Sequence, residues 1–168
     1  MESEDLLSKT NSMIELIDEL IKNVRKISSE LRPNVLDYLG LIPAIEWQMD
    51  ECKSRSEIGC EFKSNIDKID LGIEKNSSIF RIVQEAFTNI IRHSNATFVS
   101  VTINEENDFI KLEILDNGIG INAENLTKSS SLGILGMRER TLQFNGKLHL
   151  ENAEQGGTLI TLIIPKNI

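Results

Sequence analysis

The sequence predicts an α/β protein: a two-layer sandwich of a mixed, mostly antiparallel sheet and helices, preceded by a long N-terminal helix. Three observations predict it. Residues 98–103, 110–115, 147–151 and 158–164 are strand-like runs, the first two clearly alternating. Residues 75–94 put Ile79, Ile82, Val83, Ala86, Phe87 and Ile90 on one helical face. Met13, Ile17, Leu20, Val24, Ile27 and Leu31 repeat at heptad spacing, with Ile14 and Ile21 widening the seam.

The elements follow in order. The heptad pattern predicts one helix over 5–31, about 40 Å long for about 27 residues. That seam fits a core helix or one strand of a helical bundle, and its length and one-sidedness favour the bundle. Pro33 ends it, because the residue before proline is driven out of the α region. Residues 32–40 read as a connector, and 42–56 as a second helix that Gly59 breaks. Residues 60–66 show partial strand alternation. A polar hairpin turn over 104–108 joins the next two strands. Residues 116–132 read as loop and 134–145 as helix; Pro165 stops the last strand.

Composition narrows the function. The 168 residues are 40% apolar and 26% charged, ordinary globular values and enough for one sizeable core. Two cysteines and two histidines are too few for a disulfide framework or a Cys/His zinc cluster. The net charge of −8 supplies no basic field for nucleic acid, so an anionic ligand needs local donors. No apolar run is long enough to span a membrane, and the acidic start lacks a signal-peptide core. A cytoplasmic location, with no membrane contact by this segment, is the expectation.

Six of the ten glycines fall in three pieces: Asp116-Asn117-Gly118-Ile119-Gly120, Gly133-Ile134-Leu135-Gly136 and Gly156-Gly157-Thr158. The first follows a strand, the second opens a helix, the third precedes a strand. Each alone fits a tight turn or a cap. Together they fit a cradle in which backbone N–H groups approach phosphate oxygens. Arg138 and Arg140 are expected in the first turn of that helix, adding positive charge. Neither a Walker A string nor a Rossmann glycine fingerprint occurs.

Glu85, Asn89 and His93 recur every fourth residue, on a face opposite Ile82, Ala86 and Ile90. An amide oxygen at Asn89 suits Mg²⁺ when phosphates supply the other ligands. Glu85 can accept a proton or order a metal-bound water, and His93 can donate to a phosphate; taken alone, His93 also fits a surface or capping histidine. Asp116 ends an apolar strand, so its carboxylate needs a donor. That donor is a backbone amide, Asn117, or an exocyclic amine such as adenine N6. The last choice would select ATP over GTP.

These motifs carry a specific resemblance. Residues 79–165 resemble the catalytic ATP-binding domain of two-component sensor histidine kinases, of the GHKL (Bergerat) superfamily. Residues 82–93 resemble its N box, and the first two glycine pieces its G boxes. The strings QEAxxNxxxH and GxxGMRER are similar to those of the nitrate-sensor (NarX/DegS-like) subfamily, and so are Leu31-Arg32-Pro33, Leu39-Gly40-Leu41 and Ala44-Ile45-Glu46-Trp47 upstream.

The resemblance implies a Bergerat ATP-binding fold over 33–168, with 1–32 as the partial second helix of a dimerisation and phosphotransfer bundle. It implies ATP and Mg²⁺ as cofactors, Asn89 on the metal and Glu85 assisting catalysis. Asp116 would bind adenine and Gly118 and Gly120 would shape its pocket. Gly133, Gly136, Met137 and Arg138, with Arg92 and His93, would serve the phosphate side, and Thr158 would line the pocket. Residues 121–132 would form a lid. The implied activity moves the ATP γ-phosphoryl group to a histidine and then to the aspartate of a response regulator receiver domain. Homodimerisation through the N-terminal helix would need the full bundle.

Three departures stand out. Arg92 replaces the family's usual lysine, Ser130 and Ser131 replace Gly-His, and no RELHD-like acceptor motif occurs. His93 and His149 lie in the wrong places to substitute for the acceptor. The chain is therefore read as a piece of a longer kinase, whose remainder can carry a membrane anchor. Two other readings stand beside this one: an anti-sigma-factor-type serine kinase, and a non-catalytic dimerisation fragment.

Overall fold

The four strand-like runs and the partly alternating 60–66 segment become one five-stranded sheet. Its strands are β1 (Gly59–Ser64), β2 (Phe98–Glu106), β3 (Phe109–Asp116), β4 (Lys147–Asn152) and β5 (Thr158–Pro165). The order across the sheet is β1-β2-β3-β5-β4. β1 runs parallel to β2, and every other pair is antiparallel. A parallel pair needs a long crossover, and here the helix between the two strands provides it. The computed structural model describes residues 34–122 and 132–166, together with Met13 and Ile17.

The helices are α1 (Asn34–Leu39), α2 (Leu41–Arg55), α3 (Ile73–Asn89) and α4 (Leu132–Leu142). One face of the sheet is apolar because alternate residues share it: Val99, Val101 and Ile103 on β2, Ile110, Leu112 and Ile114 on β3, Ile160, Leu162 and Ile164 on β5. α3 turns Ile79, Phe80, Ile82, Val83, Ala86 and Phe87 into the same core. Burying one such side chain contributes about 1.5–3 kcal/mol, so this face dominates the packing energy. Lys75, in the first turn of α3, is 9% exposed and donates from Nζ to the Pro165 carbonyl at 2.9 Å. The start of α3 is thereby fastened to the end of β5.

Several boundaries differ from the sequence reading. The expected connector over 32–40 contains α1, whose Leu36 is buried. The second helix ends at Arg55, where Ser56 turns extended and its Oγ donates to the Cys52 carbonyl at 2.7 Å. Gly59 therefore does not break that helix; it opens β1. The hairpin turn is shorter than 104–108, because pairing continues to Glu106↔Phe109 and leaves only Asn107 and Asp108 outside it. Asn107 takes φ 42, a conformation asparagine tolerates.

The helix expected over 75–94 begins earlier and changes character. α-Helical geometry stops at Asn89, and Ile90–Ser94 form a π turn. A π turn is wider than an α turn, so residues after Asn89 leave the regular α-helical face.

The chain divides into two compact units, Met1–Asn34 and Val35–Ile168. Met13 and Ile17 in the first are helical and exposed. The rest of the expected 5–31 helix and Pro33 lie outside the described residues, as do residues 123–131, most of the expected lid, with Ser130 and Ser131.

Candidate functional site

Antiparallel pairing places the C-terminal end of β3 beside the N-terminal end of β5, with Leu115 opposite Leu159. It also puts Asp116 opposite Val99, just after the π turn that follows α3. Two glycine pieces therefore meet the end of α3 at one end of the sheet's interior strands.

Asp116 continues the core-facing alternation of Leu112 and Ile114 on β3 and is 3% exposed. Its Oδ1 accepts the Gly118 N–H at 2.8 Å. Its other carboxylate oxygen has no hydrogen-bond partner among the described residues. The backbone-amide partner foreseen for Asp116 is thus real, but it occupies half the carboxylate. A carboxylate oxygen left over in this way on a residue with so little exposure suits a donor such as an exocyclic amine.

Gly118 is glycine for a steric reason. A Cβ there would collide with the Ser94 carbonyl oxygen, the atom that accepts the Ile119 N–H at 2.8 Å. Gly157 is equally confined: it has φ +90, and a Cβ would strike the Asp116 carbonyl. Thr158, next in sequence, is buried. The first and third glycine pieces therefore close around Asp116, through contacts a side chain would forbid.

The second piece reaches the site from α4. Gly133 lies against Glu85 so closely that a Cβ would overlap Oε1. Glu85 and Asn89 are both half-buried near the end of α3, on the side that α4 approaches. The two residues stand one helical turn apart, so their polar side chains share one side of α3. Gly136 is met by Arg140, whose Nη1 would lie 2.8 Å from an added Cβ.

Three expectations about this side need correction. Arg138 and Arg140 are not in the first turn of their helix, because α4 starts at Leu132 and Arg140 belongs to its last turn. Arg140 folds back along the helix to Gly136, and Arg138 is exposed. Met137 is fully buried in the core, so it supports the helix by packing and presents no surface to a ligand. His93 and Arg92 are exposed in the π turn, so His93 does not continue the Glu85–Asn89 face in α-helical register. Gly120 borders the first piece with φ 77.

Three supporting residues have no periodic signal. Ser94 is buried; its Oγ donates to the Ile90 carbonyl at 2.8 Å and accepts the Ala96 N–H at 3.0 Å. Asn117 Oδ1 accepts the N–H groups of Thr97 and Phe98, both at 2.9 Å. Its Nδ2 donates to Thr97 Oγ1 at 2.9 Å. Asn152, at the end of β4, bonds the backbone of Ile121. The first two brace the start of β2 against the glycine turn. Asn117, a candidate donor for Asp116 in the sequence, bonds Thr97 and Phe98 instead, and Asn152 carries no sequence signal.

Comparison with known proteins agrees with this fold. The chain is 33% identical over 156 residues to the sensor histidine kinase MctS of Rhizobium johnstonii, an alignment covering 92% of this chain and 34% of that protein. It is 28% identical over 164 residues to the oxygen sensor histidine kinase NreB of Staphylococcus carnosus, covering 98% of this chain and 47% of that protein. It thus spans between a third and a half of these relatives. The crystal structure of the ATP binding domain of PrrB from Mycobacterium tuberculosis superposes with a TM-score of 0.60 at 19% identity, over 74% of this chain and 93% of that one, and shares the fold. Among the described residues, no helix is long and apolar enough to cross a membrane. Residues 74–168 match the family described as histidine kinase-, DNA gyrase B-, and HSP90-like ATPase, and the chain belongs to that family.

Proposed function

We propose that this chain is the ATP-binding catalytic module of a two-component sensor histidine kinase of the nitrate-sensor type. In this reading, residues 33–168 are the catalytic domain and 1–32 are the second helix of a dimerisation and phosphotransfer bundle. The observation that carries the adenine assignment is Asp116: buried, half-satisfied by Gly118, and ringed by glycines. Its unpaired oxygen accepts the adenine amine, and guanine would bring an acceptor oxygen to the same place.

Asn89 fits Mg²⁺ through its half-buried side-chain oxygen, and Mg²⁺ would supply charge neutralisation on the phosphates. Glu85 takes the proton shed as the acceptor imidazole nitrogen bonds the γ-phosphorus and the bond to the ADP oxygen breaks. Gly133 and Gly136 let the start of α4 approach the phosphates. Arg92 and His93, exposed at the π turn, meet the phosphates from the solvent side. The phosphoryl group then passes to an aspartate of a receiver domain. Exposure of the seam residues Met13 and Ile17 supports a homodimeric bundle. A cytoplasmic setting follows from the ATP requirement.

Calorimetric titration with Mg-ATP and Mg-GTP tests the nucleotide assignment, and binding of ATP alone is expected. Incubation with labelled ATP and a bundle bearing the acceptor histidine tests the transfer. Acid-labile phosphohistidine is expected; acid-stable phosphoserine on a partner would point to the serine-kinase class, and failure of Mg-ATP to bind would overturn the reading.

A further inference from the structure

The turn that follows Asp116 does not end freely. Ile121 is held at both backbone groups by one side chain, that of Asn152, thirty-one residues further along the chain. Asn152 Oδ1 accepts the Ile121 N–H at 2.7 Å, and Nδ2 donates to the Ile121 carbonyl at 3.1 Å. A side-chain amide here copies what a neighbouring strand would offer: one acceptor and one donor, matched to one residue.

The surroundings are built for this contact. A Cβ on Gly120 would lie 2.6 Å from Asn152 Oδ1 and 3.2 Å from the Gly157 carbonyl oxygen. Asn152 itself is paired with Thr158 across the β4–β5 hairpin. The hairpin's turn is tied by Ala153 N–H to Gly157 O and by Gly156 N–H to Ala153 O, each at 3.0 Å. Gly157 in turn touches Asp116. A closed circuit results: Asp116 to Gly118, through Gly120 to Ile121, across to Asn152, and back through Gly157 to Asp116.

We propose that Asn152 is a positioning residue for nucleotide recognition: its side-chain amide fixes the 118–121 turn, and so the rim of the adenine pocket, in the ligand-ready conformation. The proposal rests on the functional reading above. A turn released at its far end samples other conformations, and the affinity falls by the fraction of time it spends in them. Two hydrogen bonds of ordinary strength, each changing an equilibrium by about 2- to 13-fold, set the scale.

The test compares wild type with Asn152→Ala and Asn152→Asp. Binding of Mg-ATP and Mg-ADP is measured by calorimetry, and exchange of the Ile121 amide proton by NMR on the unliganded chain. Asn152→Ala is expected to weaken both nucleotides by the same factor, roughly tenfold, because the turn borders adenine and not the phosphates. The Ile121 amide should exchange faster while Tm stays nearly unchanged. Asn152→Asp keeps the acceptor and loses the donor, so it should restore Ile121 protection and part of the affinity. Unchanged affinity in Asn152→Ala, a loss confined to ATP, or a loss that follows Tm without rescue by aspartate overturns the inference alone. Absence of Mg-ATP binding by wild type overturns the functional reading and this inference with it.

Discussion

Asp116 and Gly118 share one hydrogen bond, Gly118 N–H to Asp116 Oδ1 at 2.8 Å, that orients the carboxylate and leaves its other oxygen unpaired among the described residues. Orientation and vacancy are two consequences of one contact. The substitution Asp116→Asn separates them. Its amide oxygen can still accept the Gly118 N–H, and its NH₂ then faces the ligand's amine, donor against donor. Loss of a hydrogen bond to a charged acceptor costs about 1.5–3 kcal/mol, or roughly 10- to 150-fold in affinity. Calorimetry should find Mg-ATP binding weakened by that range with Tm little changed. Unaltered affinity would remove Asp116 from the adenine site.

Gly118→Ala strikes a different part of the same structure. The added methyl meets the Ser94 carbonyl, a backbone atom that cannot swing aside as a side chain would. Relief requires moving either the π turn or the glycine turn, and the Ile119 N–H to Ser94 O bond at 2.8 Å is lost with it. Overpacking of this kind costs about 1–3 kcal/mol. Thermal unfolding should show a drop of roughly 2–4 °C per kcal/mol, accompanied by weaker nucleotide binding. A wild-type Tm with wild-type affinity would show that Gly118 tolerates a side chain and that the packing argument fails.

The legible parts of this protein are those whose signal is local. Alternation along Val99, Val101 and Ile103 identified a strand, and the same alternation carried Asp116 into the buried edge. Clustered glycines identified the turns, because only glycine meets Ser94 and Asp116 at such range. The π turn was hidden, since Ile90 is buried where an α-helical pattern also predicts burial. Arg138 and Arg140 were misplaced because the glycines at 133 and 136 read as a helix start, whereas the helix begins at Leu132 and has already completed a turn before Arg138. Asn152 was illegible for a plain reason: its partner Ile121 is 31 residues away, and no spacing rule links them.

Cys60 makes a prediction about chemical reactivity. Burial pushes its thiol pKa up to about 12, with the neighbouring Cys52 adding to the shift. The raised value means the folded chain holds this proton more tightly than the unfolded chain, whose thiol titrates near 9.0. The stabilising contribution is therefore complete below about pH 9 and is lost as pH rises toward about 12. At about pH 8 the thiolate is scarce, so alkylation by iodoacetamide should be far slower in the native chain than in denaturant. Native labelling of Cys60 at the rate of a free thiol would contradict the raised pKa of this half-buried thiol. A Cys60→Ser variant should flatten the alkaline limb of the stability profile.

Gly133 and Glu85 supply the sharpest separation between binding and chemistry. Glu85 Oε1 occupies the space a Cβ on Gly133 would take. Gly133→Ala must therefore turn the Glu85 carboxylate away or push the start of α4 outward. Asp116, the proposed adenine partner, lies on β3, a different element from Glu85 and Gly133. If Glu85 takes the proton during transfer, its displacement removes part of a general-base contribution worth about 10²–10⁴-fold. Gly133→Ala should lower kcat for phosphotransfer at least tenfold while changing nucleotide affinity by less than about threefold. Glu85→Gln should lower kcat by more, and adding Gly133→Ala to it should cost little further, because the group being displaced is already inactive. Additive losses would mean that Gly133 acts on the phosphates by a route that does not pass through Glu85. A loss of affinity equal to the loss of kcat would show that α4 as a whole had moved.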